Sequence, residues 1–477
     1  MRQLLHAIGT LYTCDGDDRT LKDAYLVIEN GRIAEIGVGK PAGDFDVVED
    51  MAGRLVLPGF VNLHHHYFQT LTRAIPAAQR GHLIDWLYKM YPLWAAMSPD
   101  DLASATEASV AQLLLTGATT SVDHSYLLPR GGTEHVEAEI AAARAMGARL
   151  VFVRGSLTSL EDDLEARLTP MLGERAGGLV DDPGAVLSDM RRTIVRFHEP
   201  SAGSMVTVAL GPTTTTYDDL NFMRSVADLA AETETRLHIH CHPRPDERAL
   251  CAKRGTTPFD VLDNAGWLTP RTFFAHSTRM YPDEMKRCAD AGVAVAHCPR
   301  MIMRLGARVT PIHDMLAAGI RIGVGVDGGA SNDSGSMLGE MRLALLLHRL
   351  AGGEGSVPWQ QWFSPYRLLQ MATRDAASII GRNDIGRIEA GLCADLAAFD
   401  LSSVAYAGAR TDALSALLLA GDDDRASFVM VGGEILVRDR KLTRADEHRI
   451  GGRVDASTQK LIAKASAASR VNYAAFL

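Results

Sequence analysis

Short apolar segments typical of buried β-strands alternate with helix-like segments through the middle of this 477-residue chain. Within these segments apolar and polar residues do not alternate, which indicates strands buried on both faces of a parallel sheet. Helical patterns separate them, for example at 100–116, 221–234 and 282–291. Eight strand segments can be distinguished: Leu55–Leu63, Thr119–Asp123, Arg149–Arg154, Met205–Leu210, Arg236–His240, Thr272–Ala275, Val293–Ala296 and Arg321–Val326. Eight strand-then-helix units predict an α/β fold, a TIM-like (β/α)8 barrel, with a doubly wound open sheet as the alternative.

The two ends of the chain carry β-hairpin patterns. One hairpin, Tyr25–Ile36, turns at Asn30-Gly31, and the other, Ser427–Val437, turns at Gly432-Gly433. Hairpins at opposite ends indicate one small β domain built from both termini. We therefore expect a discontinuous β domain (1–56 and 386–450), a barrel (57–385) and an Ala-rich helical extension (451–477).

Composition narrows the class of partner. The net charge of −9 and the lack of a basic cluster disfavour nucleic-acid binding. No long uncharged apolar stretch is suited to crossing a membrane, and the N-terminus lacks the apolar core of a signal peptide. Six scattered cysteines without CxxC pairs indicate reduced thiols and a cytoplasmic protein.

A barrel predicts that its chemistry lies at the C-terminal ends of its strands, and polar residues do gather there. In strand order these are His64 and His66, then His240 with His242, His276, His297 and Asp327. Side chains two apart on a strand share a face, so His64 and His66 can hold one ion while His65 points away. Three neutral imidazoles and a carboxylate predict a hydrolytic zinc or iron site with room for a water.

The motifs resemble those of the amidohydrolase superfamily, in its cytosine/guanine deaminase-related branch, over nearly the whole chain. The sequence is most similar there to 8-oxoguanine deaminases, isoxanthopterin deaminases and triazine hydrolases. The segments that carry the resemblance are Pro58-Gly-Phe-Val-Asn-Leu-His-His-His-Tyr-Phe-Gln-Thr-Leu-Thr-Arg73, Trp86-Leu-Tyr-Lys-Met-Tyr-Pro-Leu-Trp94, Gly117-Ala-Thr-Thr-Ser-Val-Asp-His124, Gly323-Val-Gly-Val-Asp-Gly-Gly-Ala-Ser-Asn-Asp333 and Gly391-Leu-Cys-Ala-Asp-Leu396.

The resemblance implies one divalent metal, zinc or alternatively iron, held by His64, His66, His240 and Asp327. It also implies a terminal β-sandwich and His276 beside the metal-bound water. Members with two metals usually bridge them with a modified lysine at the end of strand four. Here that strand continues into Leu210-Gly-Pro-Thr-Thr-Thr-Thr216 without a lysine, which favours a single metal.

The ligand set predicts a mechanism. The metal lowers the pKa of its water, and Asp327 accepts a proton as that water attacks a ring carbon bearing an amino group. His276 stabilises the developing negative charge, and ammonia then leaves.

Two positions depart from the family pattern. Most deaminases of the branch place a glutamate three residues after the strand-five histidine, to move protons to the ring, and this chain has Pro243 there. His242, Asp246 or Glu247 can substitute, with His242 preferred because it shares the face of His240. After strand seven the usual Ser-Asn pair is replaced by Arg300-Met-Ile-Met-Arg304.

Substrate contacts are expected from the loops. Gln69 matches a glutamine that relatives place on a substrate carbonyl or ring nitrogen. Aromatic residues after the first strand are candidates for stacking on a flat heterocycle. They are Tyr67, Trp86, Tyr91 and Trp94. Arg300 and Arg304 are candidates for contacts to carbonyl oxygens, and the insertion at about 157–184 is a candidate lid or subunit contact.

Three function classes follow. The first is a metal-dependent aminohydrolase, a cyclic-amidine deaminase acting on 8-oxoguanine, isoxanthopterin, a guanine-like ring or a hydroxytriazine. The second is a related hydrolase that expels chloride or a substituted amine, or that opens a cyclic amide. The third is a catalytically silent binding protein, disfavoured by the complete ligand set. The resemblance also implies a homodimer or a larger homo-oligomer.

Overall fold

Eight parallel strands form the central sheet of the computed structural model, which describes residues 1–128, 132–172, 179–241, 244–351, 353, 355–421, 423–469 and 471–475. The strands pair in sequence order, and the backbone N–H of Leu63 donates to Val324 O at 3.0 Å, which joins the last strand to the first. The strands are Phe60–Asn62, Ala118–Ser125, Arg149–Ser156, Val206–Pro212, Arg236–Cys241, Thr272–His276, Ala294–His297 and Arg321–Val324. The predicted (β/α)8 barrel is confirmed.

Helices surround the barrel and build its loops. The three helices named from the sequence are found at Pro99–Leu115, Leu220–Glu232 and Pro282–Asp290. The other α-helices of the barrel region are Leu83–Trp94, Thr133–Met146, Asp162–Leu172, Pro183–Phe197, Glu247–Lys253, Pro258–Asn264, Pro299–Arg304, Ile312–Ala317, Gly329–Asn332, Met337–Leu347, Pro365–Ala372 and Arg374–Ile379. Among the described residues, no helix has the length and apolar character needed to cross a membrane.

Two further sheets, built from both ends of the chain, enclose a second core. The four-stranded sheet contains Arg2–Ile8, Ala24–Glu29, Arg32–Val38 and Val47–Asp50. The seven-stranded sheet contains Thr10–Tyr12, Thr20–Leu21, Arg54–Pro58, Leu396–Asp400, Phe428–Val431, Glu434–Arg438 and Lys441–Leu442. Apolar side chains of both sheets, including Leu26 and Met430, share one buried cluster. This is the additional β domain expected from the two hairpins.

The turns of the two hairpins touch. Gly31 and Gly433 both have left-handed backbone conformations, with φ of 80° at each. A Cβ on Gly31 would lie 2.5 Å from Gly432 O, and one on Gly433 would lie 2.7 Å from Gly31 Cα. The glycines therefore supply both the turn geometry and the close approach of the two ends of the chain.

The first predicted strand is wrong in one respect, because Leu55–Leu63 is not a single barrel strand. Arg54–Pro58 pairs with Leu396–Asp400 in the seven-stranded sheet, and only Phe60–Asn62 joins the barrel. The chain divides at Gly59, where a Cβ would lie 2.3 Å from Thr119 Oγ1. The other seven strands agree with the prediction to within two residues at each end. The proposed domain boundary at 56/57 falls inside Arg54–Pro58, and the three-part division stays a prediction.

A long C-terminal helix, Glu447–Ser469, packs against Leu83–Trp94 and Pro99–Leu115. Thr458 Oγ1 donates to Leu71 O at 2.7 Å, which ties the helix to the loop that follows the first barrel strand. Short helices at Tyr67–Thr72 and Pro76–Ala78 complete that loop. Elsewhere in the chain, short helices lie at Trp359–Gln361, Val404–Tyr406 and Ala413–Ser415, and the last of these continues as a π-helix over Ala416–Ala420. The C-terminal helix thus supports the loop that carries the histidine motif.

Candidate metal centre and active site

The four side chains expected to bind metal converge at the C-terminal end of the barrel. The Nε2 atoms of His64 and His66 lie 3.3 and 3.4 Å from Asp327 Oδ1. The Nε2 atoms of His66 and His240 lie 3.1 Å apart. His65 points away, with its ring against Tyr67. The backbone N–H of Asp327 donates to His64 O at 2.9 Å, so the loop after strand eight is held against the first histidine.

Hydrogen bonds fix the protonation of two of the imidazoles. His66 Nδ1 lies 2.7 Å from His124 O, and His240 Nδ1 lies 2.7 Å from Thr213 O. A carbonyl oxygen only accepts, so each Nδ1 carries the proton and each Nε2 presents a lone pair. These two lone pairs face each other next to a carboxylate, an arrangement that a cation between them would stabilise. The donor set fits zinc, which binds imidazole nitrogen and carboxylate oxygen.

Burial prepares the same groups to bind an ion. The buried surroundings lower the pKa of His64 and of His66 well below the usual value, and lower the pKa of His240 to about 4. All three rings are therefore neutral at pH 7, as ligation requires. Burial raises the pKa of the Asp327 carboxyl to about 7 when no cation is nearby. His64 Nε2 is buried and has no hydrogen-bond partner within the described parts of the chain.

His276 borders this cluster from the end of strand six. Its ring centroid lies 5.2 Å from that of His64 and 5.4 Å from that of His240. Together with His64 and Asp327 it forms a group whose ligand atoms all lie within 4.8 Å of one another. The left-handed backbone at His276 (φ 73°) and at Asp327 (φ 65°) marks both as strained positions, which is common at functional sites.

A cavity that is open to solvent lies beside the histidines, with about 560 Å³ of empty space when its open mouth is included. Its walls are largely aromatic and aliphatic, as expected for a site that takes a flat ring. They comprise Leu83, Trp86, Leu87, Tyr91, Tyr126, Tyr217, Met301 and Leu305. The polar lining residues besides the histidines and Asp327 are Gln69, Thr213, Thr214, Arg244, Glu247 and Ser331. Gln69 Oε1 is buried and has no hydrogen-bond partner among the residues described.

Glu247 places a buried carboxyl in the cavity wall. It is the first residue of the helix Glu247–Lys253 and is only 1% exposed. Thr214 Oγ1 donates to its Oε1 at 3.2 Å, whereas its Oε2 is buried without a partner in the described structure. Burial raises the pKa of this carboxyl to about 8, against a smaller opposing effect of the Arg244 guanidinium. Glu247 is therefore predominantly protonated at neutral pH. His242, the alternative to Glu247, and Pro243 lie outside the described residues.

Arg244 is held by carboxylates from two directions. Its guanidinium makes two hydrogen bonds to Glu161, at 2.7 and 2.9 Å, and two to Asp246, at 3.0 and 2.7 Å. Glu161 lies in the insertion after strand three, so this ion pair fastens the insertion to the strand-five loop. Whether the insertion acts as a lid or as a subunit contact stays a prediction.

Several expected substrate contacts find no support in this geometry. Trp86 and Gln69 line the cavity, but Tyr67 and Trp94 do not. The indole of Trp94 donates to Thr72 Oγ1 at 3.0 Å within the packed core, and the Tyr67 backbone N–H donates to Asp123 Oδ1.

Arg300 and Arg304 do not line the cavity either. They form ion pairs with Glu340 and Asp333, at 3.2 and 2.6 Å. The neighbouring residues of the same helix region, Met301 and Leu305, line the cavity instead.

Sequence reasoning missed several wall residues that follow strand ends. Tyr126 comes directly after strand two, and Thr213 and Tyr217 come after strand four. The barrel rule that pointed to the histidines applies equally to these positions, because all C-terminal strand ends meet on one face.

Comparison with known proteins identifies the family of this chain. The sequence profile of the Amidohydrolase family matches residues 55–436. The chain is 38% identical to an 8-oxoguanine deaminase of Pseudomonas aeruginosa over 461 residues, covering 95% of this chain and 97% of the relative. It is 32% identical to a hydroxydechloroatrazine ethylaminohydrolase of Pseudomonas sp. strain ADP over 433 residues, with 90% and 87% covered.

Among solved structures, the atrazine chlorohydrolase of Arthrobacter aurescens TC1 complexed with zinc superposes with a TM-score of 0.89. The two chains are 32% identical, and the match covers 96% of this chain and 100% of that one. The chain belongs to the amidohydrolase family, and within that family it is a metal-dependent aminohydrolase that acts on carbon–nitrogen bonds.

Proposed function

We propose that this aminohydrolase releases ammonia from an aminated, oxygen-bearing purine or a similar fused heterocycle, with 8-oxoguanine as the first candidate. The observation that carries the proposal is the buried carboxyl of Glu247 in the same aromatic-walled cavity as the histidine–aspartate cluster, where burial raises its pKa to about 8. The name of the Pseudomonas aeruginosa relative, 38% identical over nearly the whole chain, supports the choice of ring.

We propose His64, His66, His240 and Asp327 as the ligands of one zinc ion. Such an ion supplies Lewis acidity and makes a water molecule nucleophilic near neutral pH. The protein holds the ligands in place through the backbone carbonyls of His124 and Thr213. The buried, neutral rings need no deprotonation before they bind.

The remaining steps follow from the side chains. Asp327 takes a proton from the attacking water as its oxygen bonds to the ring carbon that carries the amino group. His276 donates a hydrogen bond to that oxygen as negative charge develops. Glu247 gives its proton to the amino nitrogen, and Asp327 passes the proton that it took from water to the adjacent ring nitrogen. The carbon–nitrogen bond breaks and ammonia leaves, while the remaining hydroxyl proton returns to Glu247 and the ring carbon keeps the oxygen as a carbonyl. His242 stays the alternative proton donor.

The cavity walls support a flat, fused ring as substrate. Trp86, Tyr91, Tyr126 and Tyr217 offer aromatic surface for packing against both a purine and a pterin. Gln69 brings a buried amide whose Oε1 is free among the described residues to accept a hydrogen bond from a ring N–H or amino group. A hydroxytriazine fits the same chemistry, although its single ring would fill less of the cavity.

A different leaving group is the second candidate. The 32% identical relative is named as an ethylaminohydrolase and the superposed zinc enzyme as a chlorohydrolase, and both names describe displacement at a triazine ring carbon. Expulsion of chloride needs no proton on the leaving group, so that activity would survive loss of the Glu247 proton. Ring opening of a cyclic amide belongs to the same class.

The deciding experiment measures ammonia release by zinc-loaded protein from 8-oxoguanine, isoxanthopterin, guanine, cytosine, an adenosine-type purine and amino-hydroxytriazines. Strong release from one fused ring, lost in His240→Ala, is expected. Silence across the panel, with zinc bound, would reject deamination. Chloride or ethylamine release from substituted triazines would then identify the second candidate.

We also propose a cytoplasmic homodimer or larger homo-oligomer. The six cysteines are all buried and free, which supports a reducing compartment. Light scattering of the purified protein would give the assembly state, and a monomer would reject that part of the proposal.

A further inference from the structure

His238 lies directly beneath the metal centre, on the same strand as His240 and two residues before it. Its side chain is fully buried. Its Nε2 is 2.7 Å from His64 Nδ1, and its Nδ1 is 2.9 Å from Phe273 O on the neighbouring strand. The imidazole also stacks on the Phe273 ring, with centroids 4.2 Å apart and planes 25° apart. Both ring nitrogens are thus engaged, one toward the centre and one toward the barrel wall.

The proton positions follow from these two contacts. Phe273 O can only accept, so the proton of His238 is on Nδ1. A neutral imidazole carries a single N–H, so no proton remains for the Nε2 of His238. Its Nε2 is therefore an acceptor, and His64 Nδ1 must be the donor. That leaves the lone pair of His64 on Nε2, the atom 3.3 Å from Asp327 Oδ1.

His64 differs in this respect from the other two histidines of the centre. His66 and His240 donate their Nδ1 protons to backbone carbonyls, which are fixed by the chain itself. His64 donates instead to a side chain, which a substitution can remove. We propose that His238 is a positioning residue for the metal centre: by accepting the Nδ1 proton of His64 it holds that ring with Nε2 toward the metal. The inference rests on the proposed ligand set and not on the identity of the substrate.

Loss of the acceptor has a defined consequence. Without it His64 can place its proton on Nε2 or rotate, and either change removes its lone pair from the centre. Hydrogen-bond partners of metal-bound histidines contribute about 10–100-fold to metal affinity. We expect a loss of this size when the acceptor is removed, even though His238 itself does not bind the ion.

Two substitutions separate the contacts that His238 makes. The amide of asparagine lies where a histidine has Nδ1, so His238→Asn keeps a donor for Phe273 O and removes the acceptor for His64. The longer glutamine places its amide where Nε2 was, so His238→Gln keeps an acceptor for His64 and gives up the Phe273 contact. His297→Asn is a matched control, because His297 is an equally buried barrel histidine whose Nε2 lies 2.9 Å from His348 Nε2 rather than beside His64, His66 or His240.

The measurement is the zinc dissociation constant, from competition with a chromophoric chelator, together with the melting temperature of the metal-free protein. We expect His238→Asn to bind zinc about 10–100-fold more weakly while its metal-free melting temperature stays near wild type. We expect His238→Gln to bind zinc with near wild-type affinity and to have a lower metal-free melting temperature. If His238 were purely structural, the zinc affinity of each variant would fall with its melting temperature, and His238→Gln would be the weaker zinc binder. That result would overturn the proposal.

Ring-¹⁵N spectra test the same point without a His238 variant. In the metal-free wild type, the histidine signal that disappears in His64→Ala should belong to an Nδ1–H ring. An Nε2–H ring would overturn the proposal. These two measurements report zinc affinity and the position of the His64 proton, whereas the ammonia assay reports deamination. A failure of the proposal for His238 is therefore distinguishable from a failure of the proposed deamination.

Discussion

Thr214 Oγ1 donates a hydrogen bond to Glu247 Oε1 across 3.2 Å, joining the loop after strand four to the first turn of the helix after strand five. The same threonine forms an isolated parallel β-bridge with His240, a proposed metal ligand. The acid and the metal centre are therefore positioned by one short segment. This relationship supports the proposal that Glu247, seven residues after His240, is the proton donor.

Replacement of the Glu247 carboxyl by an amide should remove the proton donor and leave the cavity shape unchanged. We expect Glu247→Gln to lower kcat for ammonia release by about 10²–10⁴-fold, the usual contribution of general acid–base catalysis, with zinc content unchanged. Asp246→Asn is the comparison variant, because Asp246 is another candidate for this role and its half-exposed side chain pairs with Arg244. An equal or larger loss in Asp246→Asn would contradict the assignment of the acid to Glu247.

The same carboxyl predicts how stability depends on pH. Burial raises the pKa of Glu247 from 4.5 to about 8, so between these values the native protein holds a proton that the unfolded chain releases. The stability contributed by this group is fully present below pH 4.5 and is lost as the pH rises through 8. The free energy of unfolding, from urea titrations between pH 5 and 9, should therefore fall less steeply with pH in Glu247→Gln. Parallel pH profiles for wild type and variant would contradict this.

Gln69 and the two arginines after strand seven allow a direct comparison of predicted contacts. Gln69 lines the cavity, so Gln69→Met should remove one hydrogen bond to the substrate. A hydrogen bond that contributes about 1 kcal/mol corresponds to a rise in KM of about 5–10-fold. Arg300 and Arg304 pair with carboxylates away from the cavity, so Arg300→Lys and Arg304→Lys should leave KM near wild type. Steady-state kinetics on the best substrate would decide. A larger effect in either arginine variant would show that these side chains reach the ring.

The fold was largely predictable because its signals are local. Each buried parallel strand is a short apolar segment, and seven of the eight lie where the pattern put them. The first strand was misread because Leu55–Leu63 is apolar except for Asn62, and the Pro58-Gly59 pair inside it was not taken as a strand end. The long-range pairing of Arg54–Pro58 with Leu396–Asp400, and of Phe60–Asn62 with Ala118–Ser125, places the two halves in different sheets.

The site was predictable where topology alone decides the position. Histidines and an aspartate at the ends of barrel strands must meet, whatever their side-chain rotamers. The substrate contacts could not be predicted, because they depend on which face of a loop helix points into the cavity. Along Pro299–Leu305 the arginines at 300 and 304 share one face and reach carboxylates, whereas Met301 and Leu305 share the adjacent face and line the cavity.

A buried ion pair joins the barrel to the terminal sheets. The Arg149 guanidinium makes two hydrogen bonds to Asp395, at 2.7 and 2.9 Å, and Asp395 also accepts from the Gly432 N–H at 2.8 Å. Removal of one partner from a buried pair costs about 3–5 kcal/mol, because the other charge stays buried.

We therefore expect Asp395→Asn to lower the free energy of unfolding by about that amount in urea titrations. Glu232→Gln, which breaks an exposed two-bond pair with Arg191, is the control and should cost at most about 1 kcal/mol. Similar costs for the two variants would contradict a special role for the buried pair.

Zinc should stabilise the protein through the same atoms that are proposed to serve catalysis. In the metal-free protein the Nε2 lone pairs of His66 and His240 face each other at 3.1 Å, and a bound cation would replace this repulsion with two ligand bonds. Zinc at about 100 times its dissociation constant should add about 2.7 kcal/mol to the free energy of unfolding. A strong chelator should abolish ammonia release, and added zinc should restore it. The melting temperature of His240→Ala should respond far less to zinc than that of wild type; an equal rise would place the stabilising ion elsewhere in the molecule.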